Sequence, residues 1–201
     1  MNEGHAALCS SSEWALHIAD TVLPEALGDL TLGVEVLEVG PGYGASTEQL
    51  SRGGGRLTAI EIDEAIAAEL TKRFPAVTVV RGSAVDLPFP AGRFTAVVCF
   101  TMLHHVSSVA AQDAFFAQAR RVLAPGGLFA GSDSMADPRL REFHADDRYV
   151  PVDPATLPDR LRRPGFTDID VRITAPGKRF AFTARVPGRV PTARRPERIS
   201  A

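Results

Sequence analysis

The chain has few cysteines and no excess of either charge. Only Cys9 and Cys99 occur in its 201 residues, far apart and without metal-ligand spacing, so neither a disulfide framework nor a cysteine-based zinc site is indicated. With 22 basic and 24 acidic residues the net charge is −2, which gives no bulk electrostatic case for binding nucleic acid.

Long apolar runs are also missing. No stretch approaches the roughly 18 consecutive apolar residues that a membrane span needs. The opening residues, MNEGHAALCSSSEW, lack the cationic and apolar regions of a secretory signal. We therefore expect a soluble, cytoplasmic protein with neither a nucleic-acid nor a membrane partner. Oligomeric state is not readable from the sequence, and a homodimer is compatible with it.

Strand-like and helix-like segments alternate along the chain. Five mainly apolar segments predict buried strands: 34–39, 57–62, 77–80, 94–100 and 128–132. Two further alternating segments, 169–174 and 180–186, are joined by a Pro-Gly turn and predict a β-hairpin. This order predicts an α/β fold with a doubly wound, Rossmann-like sheet of seven strands. The sheet should be mainly parallel with an antiparallel C-terminal hairpin strand, and helices should cover both faces.

Three segments of different character organise the chain. Residues 1–30 predict a helical N-terminal segment, in which Ser11 or Ser12 caps a helix that runs to about Leu27. Residues 31–186 hold the sheet. Residues 187–201 contain three prolines, four arginines and one glutamate, so we predict a disordered basic tail.

The first predicted strand runs directly into a glycine-rich loop, VLEVGPGYG at 36–44. Glycine lets a backbone approach a ligand closely, and the helix that follows offers free N–H groups to an anion. The spacing Gly40-x-Gly42-x-x-Ala45, with Glu61 about 20 residues on, fits a dinucleotide fingerprint. With Glu38 ahead of the glycines, the same loop also fits S-adenosylmethionine (SAM). The loop alone leaves both interpretations open.

Five segments in order carry a family resemblance: VLEVGPGYG at 36–44, AIEIDEA at 59–65, RGSAVDLPFP at 81–90, FTMLHHV at 100–106 and RVLAPGGLFAGSD at 121–133. Together they resemble the class I SAM-dependent methyltransferases, and specifically the small-molecule "type 11" group. The resemblance is strong from about Leu32 to Ser134 and weak in the hairpin. A nicotinamide dehydrogenase is not expected to carry the LPF, LHHV and PGG segments.

The resemblance implies a set of contacts to SAM and to its product S-adenosylhomocysteine. Glu38 should hold the amino group of the methionine moiety, directly or through water, and Glu61 should accept both ribose hydroxyls, since a carboxylate offers only acceptors. Ile62 should cover one face of the adenine. Ser83 stands where the family often has an aspartate for the adenine amino group. The implied cofactor residues are Glu38, Gly40, Pro41, Gly42, Tyr43, Gly44, Glu61, Ile62, Ser83, Ala84, Phe100 and Thr101.

Methyl transfer from SAM needs little side-chain chemistry, because the positive sulfur already activates the methyl group. In-line alignment of the acceptor at about 3 Å and exclusion of water supply much of the rate. A base is needed only if the acceptor must lose a proton. His104 and His105 follow the fourth strand and are the candidate catalytic residues. The FHADD segment, with Asp133, has unspecific spacing, so no metal is predicted.

Two parts of the chain are candidates for the acceptor pocket. In this architecture residues 1–30 can fold over the cofactor as a lid, and helical spacing puts Trp14 and His17 on one face. Residues 134–153 follow the fifth strand and are the predicted second wall, with Phe143 and Tyr149 facing the acceptor.

The resulting prediction is a SAM-dependent methyltransferase that acts on a small-molecule acceptor by in-line displacement. Whether oxygen, nitrogen or carbon is methylated is not readable. Two alternatives stay open at this stage: a nicotinamide-dependent oxidoreductase and a catalytically silent SAM-binding module.

Overall fold

A computed structural model describes residues 3–145, 147–174 and 176–188. The described helices are α1 (Glu3–Cys9), α2 (Ser12–His17), α3 (Leu23–Leu27), α4 (Ala45–Leu50), α5 (Glu64–Arg73), α6 (Val109–Val122), α7 (Pro138–Phe143) and α8 (Leu157–Arg162). A π-helical turn covers Ile18–Val22, and short 3-10 turns cover Ser51–Gly53 and Leu103–His105. In the described ranges, no helix has the length and apolar character that a bilayer crossing requires.

The strands are β1 (Glu35–Val39), β2 (Arg56–Glu61), β3 (Thr78–Arg81), β4 (Phe94–Phe100), β5 (Leu123–Ser134), β6 (Thr167–Thr174) and β7 (Arg179–Arg185). They form one sheet in the order β3-β2-β1-β4-β5-β7-β6. Strands β1 to β5 are parallel, and β7 runs antiparallel to both β5 and β6. The predicted fold and its C-terminal hairpin are confirmed. The strand order reverses between β1 and β4, so the loops after these two strands flank a crevice.

Successive residues of the central strands serve two separate cores. Val36, Ala96 and Val98 pack with the π turn and α3 on one face of the sheet. Leu37 and Val97 face the other side, where α6 and α8 cover them. All five side chains are buried, which explains the near-continuous apolar sequence of these strands.

Side-chain caps fix where several helices begin. The Ser11 hydroxyl accepts the N–H of Trp14 at the start of α2, as the sequence predicts. Asp63 caps α5, and Ser108 caps α6 in the same way. These caps set the directions in which the helices leave the loops at the carboxyl edge of the sheet.

The predicted helix from Ser12 to Leu27 is present, but a π turn divides it into α2 and α3, and α1 precedes it. The N–H of Leu23 donates to the carbonyl of Ile18, five residues back, in the register of a π turn. Pro24, which has no N–H to donate, follows directly after this irregular turn. The predicted disordered tail falls mostly on residues 189–201, which lie outside the described residues.

Candidate functional site

A cavity of about 800 Å³ opens at the carboxyl ends of β1 and β4. Its walls come from the glycine loop, the end of β2, the loop after β3, the turn after β4, the N-terminal helices and the described residues of 140–148. The position agrees with the rule that α/β sheets bind ligands where strand order reverses. The volume lies in the usual range for small-molecule sites.

The three glycines of the loop are required for different reasons. Gly40, Gly42 and Gly44 have φ values of 68°, 54° and 85°, in the left-handed region that favours glycine. A Cβ on Gly44 would meet the Phe74 ring at 2.6 Å, so packing requires this glycine. A Cβ on Gly42 would meet nothing within 4 Å, and Gly42 lines the cavity. Gly42 therefore presents bare backbone to a ligand.

Glu61 is the last residue of β2, and its side chain is hydrogen-bonded to the glycine loop. Its carboxylate accepts the N–H of Gly42 at 3.1 Å, of Ile62 at 2.8 Å and of Asp63 at 3.0 Å. It is 6% exposed and lines the cavity. A buried carboxylate held by three backbone donors is rigid, and it has acceptor capacity left for a ligand hydroxyl.

Both oxygens of the Glu38 carboxylate are hydrogen-bonded to hydroxyl groups of α4. One carboxylate oxygen accepts the hydroxyl of Ser46, and the other accepts the hydroxyl of Thr47 at 2.7 Å. Burial raises the pKa of Glu38 to about 7, against the lowering effect of the two hydroxyls. The described lining residues include Ser46 but not Glu38. Direct contact of Glu38 with the cofactor stays a prediction.

The rim of the cavity beside the end of β2 and the loop after β3 is apolar. Ile62 is a large side chain that is 64% exposed, and it lines the cavity together with Ser83 and Ala84. The Ser83 hydroxyl accepts the N–H of Val85 at 3.4 Å, and Ser83 forms a β-bridge with Asp86. An exposed apolar surface beside backbone polar groups suits a flat heteroaromatic ring.

The turn after β4 is strained. Thr101 has φ of 50°, which is rare for a β-branched residue, and its N–H donates to Ser132 at 2.8 Å. Thr101 and Phe100 both line the cavity. Strain of this kind concentrates at functional sites, where the surrounding structure enforces it.

His104 is bonded to a fully buried carboxylate. Its Nδ1 lies 2.5 Å from Asp133 Oδ1, and its backbone N–H donates to Asp133 Oδ2 at 3.0 Å. Burial lowers the pKa of His104, but the charge and hydrogen bond of Asp133 outweigh it, so the net pKa lies above 6.5. Burial raises the pKa of Asp133, whereas His104 lowers it to a net value below 3.8. Both residues thus favour an ion pair.

His105 has the opposite electrostatic environment. Burial, together with the neighbouring His104 and His5, lowers its pKa to about 3, so the ring is neutral near pH 7. The His105 ring lies 4.9 Å from that of His5 and 5.2 Å from that of His144. Burial also lowers the pKa of His5 and of His144. Four of the five histidines of the chain therefore meet at one end of the cavity.

The four predicted acceptor residues divide into two pairs. Trp14 and Phe143 line the cavity. His17 packs against Trp14 with ring centroids 5.5 Å apart and lies 3.3 Å from the guanidinium of Arg179. The Tyr149 ring stacks on the His144 ring, with ring centroids 4.8 Å apart. Neither His17 nor Tyr149 is among the described lining residues, so a direct acceptor contact stays a prediction for both.

The predicted cofactor residues cluster well. Those that line the cavity are Gly40, Pro41, Gly42, Tyr43, Glu61, Ile62, Ser83, Ala84, Phe100 and Thr101. Gly44 instead packs against Phe74 and begins α4.

Sequence reasoning missed three contributors to the site: His5, the pairing of Asp133 with His104, and the position of His144. Asp133 had a usable signal, because it lies at the carboxyl end of a predicted strand next to the one that precedes His104. His5 had none, since its place depends on how α1 folds back over the sheet.

Residues 37–131 match the family model described as "Methyltransferase domain". The demethylmenaquinone methyltransferase of Tropheryma whipplei (strain Twist) is 42% identical over 101 residues, which cover 49% of this chain and 41% of that relative. A Mycolicibacterium smegmatis protein described as "Probable S-adenosylmethionine-dependent methyltransferase" is 29% identical over 152 residues, covering 72% of this chain and 56% of that relative. The matched segments thus span about half the length of these curated relatives.

A shorter match is to a relative whose name gives ribosomal RNA as its acceptor. Ribosomal RNA small subunit methyltransferase A of Koribacter versatilis is 48% identical over 50 residues, or 25% of this chain and 17% of that relative. Among solved structures, the Haemonchus contortus phosphoethanolamine N-methyltransferase 2 in complex with S-adenosyl-L-methionine shares the fold. Its TM-score is 0.71 at 16% identity, over 88% of this chain and 53% of that one.

Proposed function

Through residues 37–131 this chain belongs to the class I SAM-dependent methyltransferases of the type 11 group, and we propose that it methylates a small-molecule acceptor in the cavity described above. The family uses SAM as the methyl donor and releases S-adenosylhomocysteine. One observation carries the proposal: Glu61 and the bare backbone of Gly42 share a single cavity with His104, which is paired with the buried Asp133 behind it. A cofactor end and an acid–base end therefore meet in one space.

The cofactor end offers a matching partner for each part of SAM. Glu61 accepts the ribose hydroxyls, and Ile62 covers an adenine face. The loop backbone at Gly42 lets the methionine moiety pass, and the strained turn at Thr101 lies beside the transferring methyl group. The environment of Glu38 supports an indirect role, in which it orients Ser46 at the start of α4.

At the acceptor end, His104 is the proposed base. Asp133 accepts the Nδ1–H of His104, so that Nε2 carries the lone pair whenever the ring is neutral, and the raised pKa of His104 makes this nitrogen a stronger base. An acceptor O–H or N–H donates its proton to Nε2 as its oxygen or nitrogen attacks the methyl carbon, and the carbon–sulfur bond of SAM breaks in line. Asp133 then stabilises the resulting imidazolium. The low pKa of His105 makes it the weaker base of the two.

The N-terminal helices complete the proposed arrangement. Trp14 of α2 and His5 of α1 line the same cavity as the glycine loop, which supports a lid role for residues 1–30. Phe143 faces them from the 134–153 segment, which supports its role as the second wall. An enclosed aromatic wall excludes water and suits a compact apolar acceptor with one ionisable group.

Family membership removes the nicotinamide-dependent alternative, but a silent SAM-binding module needs a direct test. The purified chain is incubated with SAM and separate panels of phenols, hydroquinones, primary amines and carboxylic acids, and S-adenosylhomocysteine is quantified. A short structured RNA is included because of the ribosomal RNA methyltransferase relative. Turnover with a small molecule supports the proposal. Tight SAM binding with no turnover on any panel favours the silent module, and turnover on RNA alone contradicts the small-molecule acceptor.

A further inference from the structure

Three histidines from distant parts of the chain converge at the acceptor end. His5 lies on α1, His105 in the turn after β4, and His144 directly after α7. One ring nitrogen of each lies within 4.8 Å of the corresponding nitrogens of the other two. His5 and His144 are buried, and all three residues line the cavity.

Two of these rings are oriented through their second nitrogen. His144 Nδ1 donates to the backbone carbonyl of Leu140 at 2.6 Å, which leaves Nε2 as the nitrogen with a lone pair. His5 Nδ1 lies 3.2 Å from the carboxylate of Asp147. A carbonyl or carboxylate behind the imidazole is the arrangement that metal-ligating histidines have, because it fixes the tautomer and the ring direction.

His144 Nε2 supplies an independent sign of a ligand. It is buried, and no atom of the described residues forms a hydrogen bond with it. Buried polar atoms without a partner are rare in folded proteins, and each calls for a bound group or a functional role. This is the nitrogen that Leu140 leaves with a lone pair, and its ring belongs to the three-histidine cluster.

We propose that His5, His105 and His144 bind one divalent transition-metal cation, with Zn²⁺ as the reference ion and a fourth position open to the cavity. Tetrahedral zinc with bonds of about 2.0–2.1 Å places its ligand nitrogens roughly 3.4 Å apart, so the rings need to close by about 1.4 Å at most. Three imidazoles favour zinc, copper, iron or nickel over magnesium and calcium, which prefer oxygen ligands. The proposal departs from the expectation, drawn from the sequence, that no metal is held.

The open position would face the same space as His104. A metal there supplies a Lewis acid for an oxygen or nitrogen of the acceptor, beside the group proposed to take its proton. This use of the cation rests on the proposed methyl transfer, whereas its binding does not.

The test is a Co²⁺ titration of the full chain, prepared without a histidine tag and followed by visible absorption, with Zn²⁺ as competitor. We expect one cation per chain, with the intense bands of a four- or five-coordinate site, and displacement by Zn²⁺. His144→Ala and His105→Ala should each weaken binding by about 100-fold. His17→Ala is the matched control, because His17 is the one histidine of the chain that is not among the described residues lining the cavity, and it should leave cation binding unchanged.

Three results would overturn the proposal: no cation bound at micromolar concentration, the weak bands of an octahedral site, or equal affinity in the His144→Ala and His17→Ala variants. Should His144→Ala not fold, the spectrum of the unaltered chain together with His105→Gln decides the question. A SAM titration on the same samples separates the two proposals. SAM binding without a cation removes only the metal site, and a cation without SAM binding removes only the proposed function.

Discussion

The two ends of the cavity are built from different materials. The cofactor end is formed by residues 40–46, 60–63 and 82–85, and its binding surface consists of loop backbone and the Glu61 carboxylate. The acceptor end is formed by His5, residues 102–107 and the described residues of 140–148, and its surface consists of side chains from these three distant segments.

This difference shows why the cofactor is easier to infer than the acceptor. The cofactor end depends on strand-to-loop geometry that the sheet imposes, and each of its three parts is continuous in sequence. The acceptor end depends on how α1 and α7 fold back over the crevice. A common fold therefore fixes the geometry of the cofactor end, whereas the acceptor end can vary from one family member to another.

The largest expected effect separates chemistry from cofactor binding. His104→Gln removes the proposed base, so kcat should fall by about 10²- to 10⁴-fold while the Kd for SAM changes little. Glu64→Gln is the control, because Glu64 pairs with Arg81 on the surface and is not among the described lining residues, and it should leave kcat within about threefold. Steady-state kinetics and calorimetry on the same preparations give both quantities. A parallel loss of SAM affinity in His104→Gln would place His104 at the cofactor end instead.

Gly42→Val tests the cofactor end at its most exposed backbone. The side chain would project into the cavity, so we expect the Kd for SAM to rise by about 100-fold or more. Gly54→Val is matched in conformation, since Gly54 also has a left-handed φ of 78° and open space at its Cβ, but it lies outside the cavity lining. Its cost should be confined to stability. Equal SAM affinity in the two variants would contradict the assignment of the loop.

Glu61→Ala should weaken SAM binding by about 1–3 kcal/mol, because two ribose hydroxyls lose their acceptor and the Gly42 N–H loses its anchor. Glu64→Ala is the control. Glu64 is three residues away, pairs with Arg81 on the surface at 3.0 Å and has an exposed side chain. Calorimetric titration of both variants gives the difference. If the Kd is the same in both, Glu61 serves only to hold the loop.

The smallest effect concerns Glu38 and is one of stability. Its folded pKa of about 7 lies above the ordinary value of 4.5, so the folded chain holds a proton that the unfolded chain loses between these pH values. The unfavourable contribution therefore grows as pH rises from 4.5 through 7 and is complete above 7. Glu38→Gln should raise stability relative to the unaltered chain by on the order of 1–3 kcal/mol at pH 8, and by little at pH 4.5.

Urea unfolding at the two pH values checks this, with Glu64→Gln as the surface control. A gain from Glu38→Gln that does not depend on pH would mean that folding does not raise the pKa of Glu38. An accompanying loss of SAM affinity would support the predicted contact with the methionine amino group.

Much of the fold could be predicted because the sequence signals were local. Continuous apolar strands, Gly-Pro punctuation and the alternation in 169–174 each reflect short-range geometry, and the sheet order confirms them. The N-terminal helix was predicted as a single element, but a π turn at Ile18–Val22 interrupts it. The turn has the sequence IADTV, with buried apolar residues at both ends, so periodicity alone gives no sign of it.

Only some residues of the site could be predicted, because only some of their contacts follow from local sequence. The glycine loop and Glu61 are set by position along a strand, so sequence spacing locates them. The His104–Asp133 bond joins the turn after β4 to the end of β5, 29 residues away, and the approach of His5 to His144 requires the complete fold. Both contacts are tertiary: the adjacency of two predicted strands gives a signal for the first, and no spacing rule gives one for the second.

The most direct test of the central claim is calorimetric titration of the unaltered chain with SAM, S-adenosylhomocysteine and NADH. We predict one adenosyl ligand per chain, bound with a Kd on the order of micromolar, and no heat from NADH. Binding of NADH, or of none of the three, would contradict the assignment of this cavity as a SAM site.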